Sequence, residues 1–168
     1  LSALYALNID NCVIEMDSPE PPVGDGSAKT FVDMVEEAGI EEQDEDIPVL
    51  TLDRSVAIYE GEKFITALPY DGLRITFTSI NPHPLLGTQM VDIVIDHDSY
   101  MKEIASARTI GFTWELEAMR KMGLGKGGTL ENAVVYSETE CLSVPRFKDE
   151  LVRHKILDIL GDISLIGP

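Results

Sequence analysis

Cysteine is scarce in this chain, with only Cys12 and Cys141 among 168 residues, which excludes a disulfide framework and suits a reducing compartment. Cys12 lies in the apolar run Cys12-Val13-Ile14 and is expected to be a buried free thiol. Positive charge is also scarce. Thirteen Lys and Arg against thirty Asp and Glu give a net charge of −17, which argues against a nucleic-acid partner, because phosphate binding is driven by cationic neutralisation. Part of the acidic excess falls in Glu36-Glu37 and in residues 41–46, where a solvated helix end and a linker are the ordinary explanation. No apolar run approaches the ~20 residues of a membrane-spanning helix, and no secretory signal is visible, so the cytoplasm is the expected location. There is no initiator methionine before Leu1, and the chain stops just after an apolar helix, so it reads as a piece of a longer protein. No internal repeat is present. The glycine-rich tract Gly123-Leu124-Gly125-Lys126-Gly127-Gly128 lacks the G-x-x-x-x-G-K-[ST] order of a phosphate loop and reads as a flexible access loop.

What remains is a mixed pattern. Leu1 to Leu7 reads as a short helix, and Cys12 to Met16 as a strand. The proline-rich segment from Pro19 to Gly26 cannot be regular. Ser27 is placed to cap a helix in which Phe31, Met34, Val35 and Ala38 recur at helical spacing until Gly39 ends it. The acidic tract followed by Pro48 is the best candidate boundary. From Val49 the period changes to two, and Val49–Leu52, Ser55–Tyr59, Lys63–Leu68, Leu73–Ile80 and Met90–Ile95 read as strands. Helices are expected at Ser99–Ser106, Trp114–Met122 and Asp149–Ile166, with a strand at Ala133–Tyr136. Strands grouped together with helices following them predict an α+β fold, helices packed on one face of a sheet.

The last helix carries the strongest chemical signal. At about 100° per residue, His154, Asp158, Gly161 and Asp162 share one stripe, while Val152, Ile156, Ile159 and Ile163 share the opposite face. Leu157 and Leu165 flank the stripe, which predicts a helix buried on more than one side. A buried carboxylate needs a partner, and a divalent cation held by His154 and Asp158 would supply one. A hydrogen-bonded His–Asp pair is the alternative, and two ligands do not close a zinc site.

The stretch Arg146-Phe147-Lys148-Asp149-Glu150-Leu151-Val152-Arg153-His154-Lys155, running into Gly161-Asp162, closely resembles the zinc-site helix of the bacterial UDP-3-O-acyl-N-acetylglucosamine deacetylases of lipid A synthesis. Three further tracts resemble that family in the same order: Ile9-Asp10-Asn11 with Pro19 to Ala28, then Ala107-Arg108-Thr109-Ile110-Gly111-Phe112, then Gly123-Leu124-Gly125 with Gly127-Gly128. The resemblance spans the chain. It implies two related sheet-and-helix domains packed helices inward in the longer protein, with residues 1–46 ending the first and residues 47–168 forming most of the second.

The implied activity is zinc-dependent hydrolysis of the 2-N-acetyl group of UDP-3-O-acyl-N-acetylglucosamine, an anionic sugar nucleotide that an acidic protein can hold through a few placed cations. The resemblance puts His154 and Asp158 on Zn2+, makes Thr109 the hydroxyl donor to the oxyanion, and makes Asp162 the aspartate that orients a general-acid His lying beyond Pro168. A Glu-His dipeptide supplying the general base and the third ligand belongs upstream of Leu1. Lys155 is implied to meet the diphosphate and Phe112 to pack on the nucleotide, while Ile110, Leu116 and Leu124 belong to the apolar passage for the acyl chain. Without the family, Thr109 reads as a capping or solvent-facing residue, Lys155 as an exposed helix lysine, and the apolar four as core. His83, between two prolines, reads as a surface or groove residue, and His97 as part of a turn with at most a weak metal contact. Some family members are fused to an acyl carrier protein dehydratase, a partner the resemblance allows. The competing class is a non-catalytic acidic α+β domain with a structural His–Asp pair.

Overall fold

A computed structural model describes residues 1–167. The element that organises them is α5 (Glu150–Ile163), whose apolar face seats Val152, Ile156 and Leu160 with no exposed surface. Against that face pack α1 (Ser2–Ala6), the hairpin of β3 (Arg74–Ile80) and β4 (Thr88–Val94), and a π-helical turn at Tyr100–Ile104 that continues the one-turn helix α3 (His97–Ser99). Helix α2 (Lys29–Ala38) leans on α1 and contributes Val32, also fully buried. The resulting core joins Ala3, Leu7, Ala28 and Val32 to Ile75, Tyr100, Ile104, Ile156 and Leu160. Residues on either side of the acidic tract therefore share one apolar interior. Within it the Tyr100 hydroxyl lies 3.1 Å from Ser2 Oγ, and burial pushes the phenol up to about 12.

The predicted α+β class holds, but the strands form three ribbons instead of one sheet. β1 (Val56–Glu60) pairs antiparallel with β2 (Lys63–Ala67), β3 pairs antiparallel with β4, and β5 (Ile110–Phe112) pairs parallel with β6 (Val134–Tyr136). A parallel pair needs a crossover, and α4 (Thr113–Lys121) lies within it. A second, smaller apolar cluster of Leu86, Val134, Tyr136 and Leu151 sits under β5 and β6. Both faces of β1 and β2 are exposed, with Ile58, Tyr59, Phe64 and Ile65 open to solvent. No helix among the described residues is long and apolar enough to cross a membrane.

Several local expectations are corrected. Cys12–Met16 and Val49–Leu52 form no strand, because no partner edge among the described residues takes up their backbone groups; Cys12 is exposed, not buried. Ser27 stands one residue before the N-cap Ala28, yet its Oγ still accepts from the Lys29 amide at 3.2 Å. Met34 is exposed, because the buried stripe of α2 runs through Ala28, Val32 and Val35, and Gly39 ends the helix at φ +84° as expected. His97 opens a helix capped by Asp96 and Ser99 rather than lying in a turn.

Candidate metal and active site

His154 is held from behind. A carbonyl can only accept, so Nδ1 donates to Ala107 O at 3.0 Å, which leaves the Nε2 lone pair facing Asp158 Oδ1 at 3.4 Å. Two acceptors turned toward one another are satisfied only by a proton or a cation between them, and a backbone carbonyl behind the far nitrogen is the usual support of a metal-binding imidazole. The other oxygen of Asp158 accepts from Lys155 Nζ at 2.7 Å, so in this arrangement Lys155 supplies part of the missing positive charge. The predicted burial holds for the imidazole, whose side chain is 12% exposed, but not for the acids. Asp158 is 40% exposed and Asp162 is open to solvent, since beyond His154 that side of α5 is covered only in part, by Leu1 and Ser2 beside Gly161. Asp158, Gly161 and Asp162 instead line an open depression with Leu157, Leu1 and Ser2. Among the described residues no group of three or more His, Cys, Asp or Glu could hold a metal ion. The nitrogen and oxygen donors are of kinds that zinc accepts, and the pair could hold two of its four positions.

The segment that faces this helix leads into β5 and is anchored just before Thr109. Arg108 is buried against Glu150 at the start of α5, with Nε 3.0 Å from Oε1 and their side chains 5% and 1% exposed. The Arg108 backbone amide also donates to Glu150 Oε1, at 2.9 Å. Thr109 itself is exposed, and its carbonyl accepts from the Val134 amide at 2.8 Å, where β5 begins to pair with β6.

Beyond Thr109 the side chains divide. Ile110 is half-buried on the second apolar cluster, Leu116 is half-buried on α4, and Leu124 is 50% exposed in the loop after it. Phe112 stacks on Trp114 with centroids 4.6 Å apart and lies 5.8 Å from His83 and 6.3 Å from Tyr136. His83 is thus buried, contrary to its reading as a surface or groove residue. Its Nε2–H donates to Ser137 O at 2.7 Å, just after β6, while Nδ1 accepts from the Leu85 amide in its own loop, so both ring nitrogens are hydrogen-bonded. His97 is a surface side chain 3.5 Å from Glu36.

A family model for UDP-3-O-acyl N-acetylglycosamine deacetylases matches residues 1–168. The chain belongs to this deacetylase family. Relatives named UDP-3-O-acyl-N-acetylglucosamine deacetylase include one from Campylobacter lari, 44% identical over 169 residues that cover 99% of this chain and 58% of that protein. Another, from Bdellovibrio bacteriovorus, is 43% identical over 165 residues, 97% of this chain and 55% of that protein. A third, from Pseudomonas entomophila, is 42% identical over 171 residues, 99% of this chain and 56% of that protein. The chain spans little more than half the length of these relatives.

In this deacetylase-family chain, three tracts that are distant in sequence converge on the start of α5. Arg146 Nη1 donates to Asp25 Oδ2 at 2.8 Å, to Ser27 Oγ at 3.3 Å and to Ser106 O at 2.9 Å. Partial burial works against the Asp25 charge, but hydrogen bonds from Ser27 and Arg146 outweigh it and hold the carboxyl below its usual range. The sequence reading missed Asp25, the Ala107 carbonyl, Arg108 and Glu150. For the last two, the distance of 42 residues between an Arg and a Glu in polar surroundings left the pairing without a local signal.

Proposed function

We propose that this chain is part of a zinc-dependent amidohydrolase that removes the 2-N-acetyl group from UDP-3-O-acyl-N-acetylglucosamine, in the cytoplasm, at the committed step of lipid A synthesis. The observation that carries the metal assignment is the His154 tautomer, with Nδ1 spent on Ala107 O and Nε2 turned to Asp158. When bound, zinc supplies Lewis acidity toward the amide carbonyl and acidifies water. The described residues supply the surroundings. His154 and Asp158 would hold the ion, and Thr109, exposed immediately before β5, donates its hydroxyl to the oxygen that gains charge as the amide is attacked. Lys155, 46% exposed and resting on Asp158, has the reach to meet a diphosphate instead. Asp162 at the rim of the depression orients a general acid supplied from beyond this chain.

Leu1 and Ser2 line the same depression as Asp158 and Asp162, so residues immediately before Leu1 in a longer chain would be delivered beside the His–Asp pair. That placement suits a third zinc ligand and a general base. Residues 1–46 then close the first domain and residues 47–168 build most of the second, with Ile110, Leu116, Leu124 and Phe112 on the substrate side. A second reading is favoured by the contact of Lys155 with Asp158: His154, Asp158 and Lys155 form a metal-free charge cluster in a non-catalytic domain.

The test compares the 168-residue chain with a protein extended in both directions, assayed for acetate release from the UDP-acylglucosamine with added zinc. The longer protein should turn over and the 168-residue chain should not, because each missing acid or base contributes ~10²–10⁴-fold. Comparable turnover by the two would place the catalytic groups inside these residues and overturn the assignment. Zinc-independent inactivity of the longer protein would favour the charge cluster.

A further inference from the structure

We propose that Arg108 is a positioning residue, which with Glu150 sets Thr109 at a fixed place relative to His154; the inference rests on the reading of Thr109 as the oxyanion donor. Glu150 accepts from the Arg108 amide at 2.9 Å, from Arg108 Nε at 3.0 Å, from Arg108 Nη2 at 3.3 Å and from the Arg146 amide at 2.6 Å. The two outer nitrogens of Arg108 also donate to Glu131 O at 2.9 Å and to Val144 O at 2.7 Å. A single side chain thereby ties together the segment ahead of Thr109, the loop before β6, the loop before α5 and the first turn of α5. Only a planar fork with five donors can do this, and a lysine, with a point charge and no fixed fork, cannot.

Glu150 and His154 are one helical turn apart, on one side of α5. Both hold the one peptide group that joins Ala107 to Arg108, two residues ahead of β5: Glu150 accepts from its N–H and His154 donates to its carbonyl. Ties at both ends of one peptide group fix the place and orientation of that peptide plane against the helix, immediately ahead of Thr109. On the far side of Thr109, its carbonyl accepts from Val134 and β5 pairs with β6. Thr109 is therefore an exposed residue between two immobilised ones, its backbone set by groups that never touch the substrate. An oxyanion donor needs such support, since a misplacement of about 1 Å in a reacting geometry costs on the order of 10²-fold in rate. Arg108 does not touch the reacting atoms; it acts through Thr109.

The experiment uses the full-length, zinc-loaded deacetylase and a double-mutant cycle between Arg108→Lys and Thr109→Ala, reading kcat, KM and bound zinc. Thr109→Ala should lower kcat by about 10²–10³-fold, as the loss of one oxyanion donor does. Arg108→Lys should lower kcat at least tenfold by the same logic, with KM within about twofold and one zinc retained, and should lower it less than about twofold further when Thr109 is already alanine. A merely structural Arg108 would cut kcat by the same factor in both backgrounds, and that result overturns the proposal, as does an Arg108→Lys enzyme with normal kcat. If Arg108→Lys does not fold, Glu150→Gln carries the same comparison, because the amide oxygen still accepts from the Arg108 amide but the charged fork contact is lost. A normal kcat in Thr109→Ala would sink the oxyanion assignment itself, and the positioning role with it, which separates the two failures.

Discussion

Gly26 is the position where a single added carbon should do the most damage. Its φ is +79°, and a Cβ built there would lie 1.6 Å from the carbonyl oxygen of Asn132. That carbonyl cannot simply retreat: Asn132 Oδ1 accepts from the Thr129 amide at 2.8 Å and Nδ2 donates to Gly127 O at 2.8 Å, so its loop is braced from both ends. Gly26→Ala therefore combines about 1–2 kcal/mol of left-handed backbone strain with about 1–3 kcal/mol of overpacking. Gly87 provides the control. Its φ is +55° but nothing lies within 4 Å of its added Cβ, so Gly87→Ala should cost the backbone strain alone. Urea unfolding of both variants, each compared with the unaltered chain, isolates the steric part as the difference between them. Equal destabilisation by the two substitutions would refute the reasoning. The consequence is more than local, because Asp25 and Ser27, on either side of Gly26, are the partners of Arg146 at the start of α5.

Asp25 also gives the chain an acid limit. Its folded pKa is lowered from 3.8, so the contribution of its bonds to Arg146 and Ser27 is fully present above about pH 4 and is lost as pH falls through the lowered folded value. Asp25→Asn should flatten the fall in stability below pH 4 in acid titrations followed by unfolding, and an unchanged slope would contradict it. In the full-length enzyme, Lys155→Ala should raise KM for the UDP-sugar with little change in kcat, as expected for a contact equally strong in ground and transition states; steady-state kinetics in which kcat alone falls would reassign it. The open apolar faces of β1 and β2 should make the 168-residue chain self-associate, and replacing Ile58 and Phe64 with lysine and glutamate should reduce the association measured by light scattering. Association unchanged by those replacements would move the sticky surface elsewhere.

The elements with strong periodicity were legible before the fold was seen. The apolar face of α5, the α2 helix closed by Gly39, the two hairpins and the short strand before Ser137 all lie close to where alternation or helical spacing placed them. What failed were apolar runs without a partner. Cys12-Val13-Ile14 has the composition of a strand, but β structure requires a neighbouring edge, and none of the described residues provides one. β5 was the reverse case: three residues are too few for periodicity to register, and the pairing with β6 decides it. At the site, the phase of His154 and Asp158 could be read from spacing alone. The Ala107 carbonyl that sets the imidazole tautomer and the Arg108–Glu150 clamp could not, because contacts across 47 and 42 residues leave no local pattern. His83 was misread for a related reason: flanking prolines signal a loop, and only the tertiary fold places that loop under Phe112, Trp114 and Tyr136.

The central claim is that His154 and Asp158 are zinc ligands. It is tested most directly by zinc titration calorimetry with elemental analysis on the full-length protein, unaltered and as His154→Ala and Asp158→Ala. The account predicts one zinc per chain in the unaltered protein and a severe loss of affinity in each variant, with circular dichroism confirming that each is folded; Asp158→Ala, at a side chain 40% exposed, is the less disruptive of the two, since His154 also holds Ala107 O. One zinc per chain bound with undiminished affinity by both variants would contradict it and leave the pair as a metal-free charge cluster.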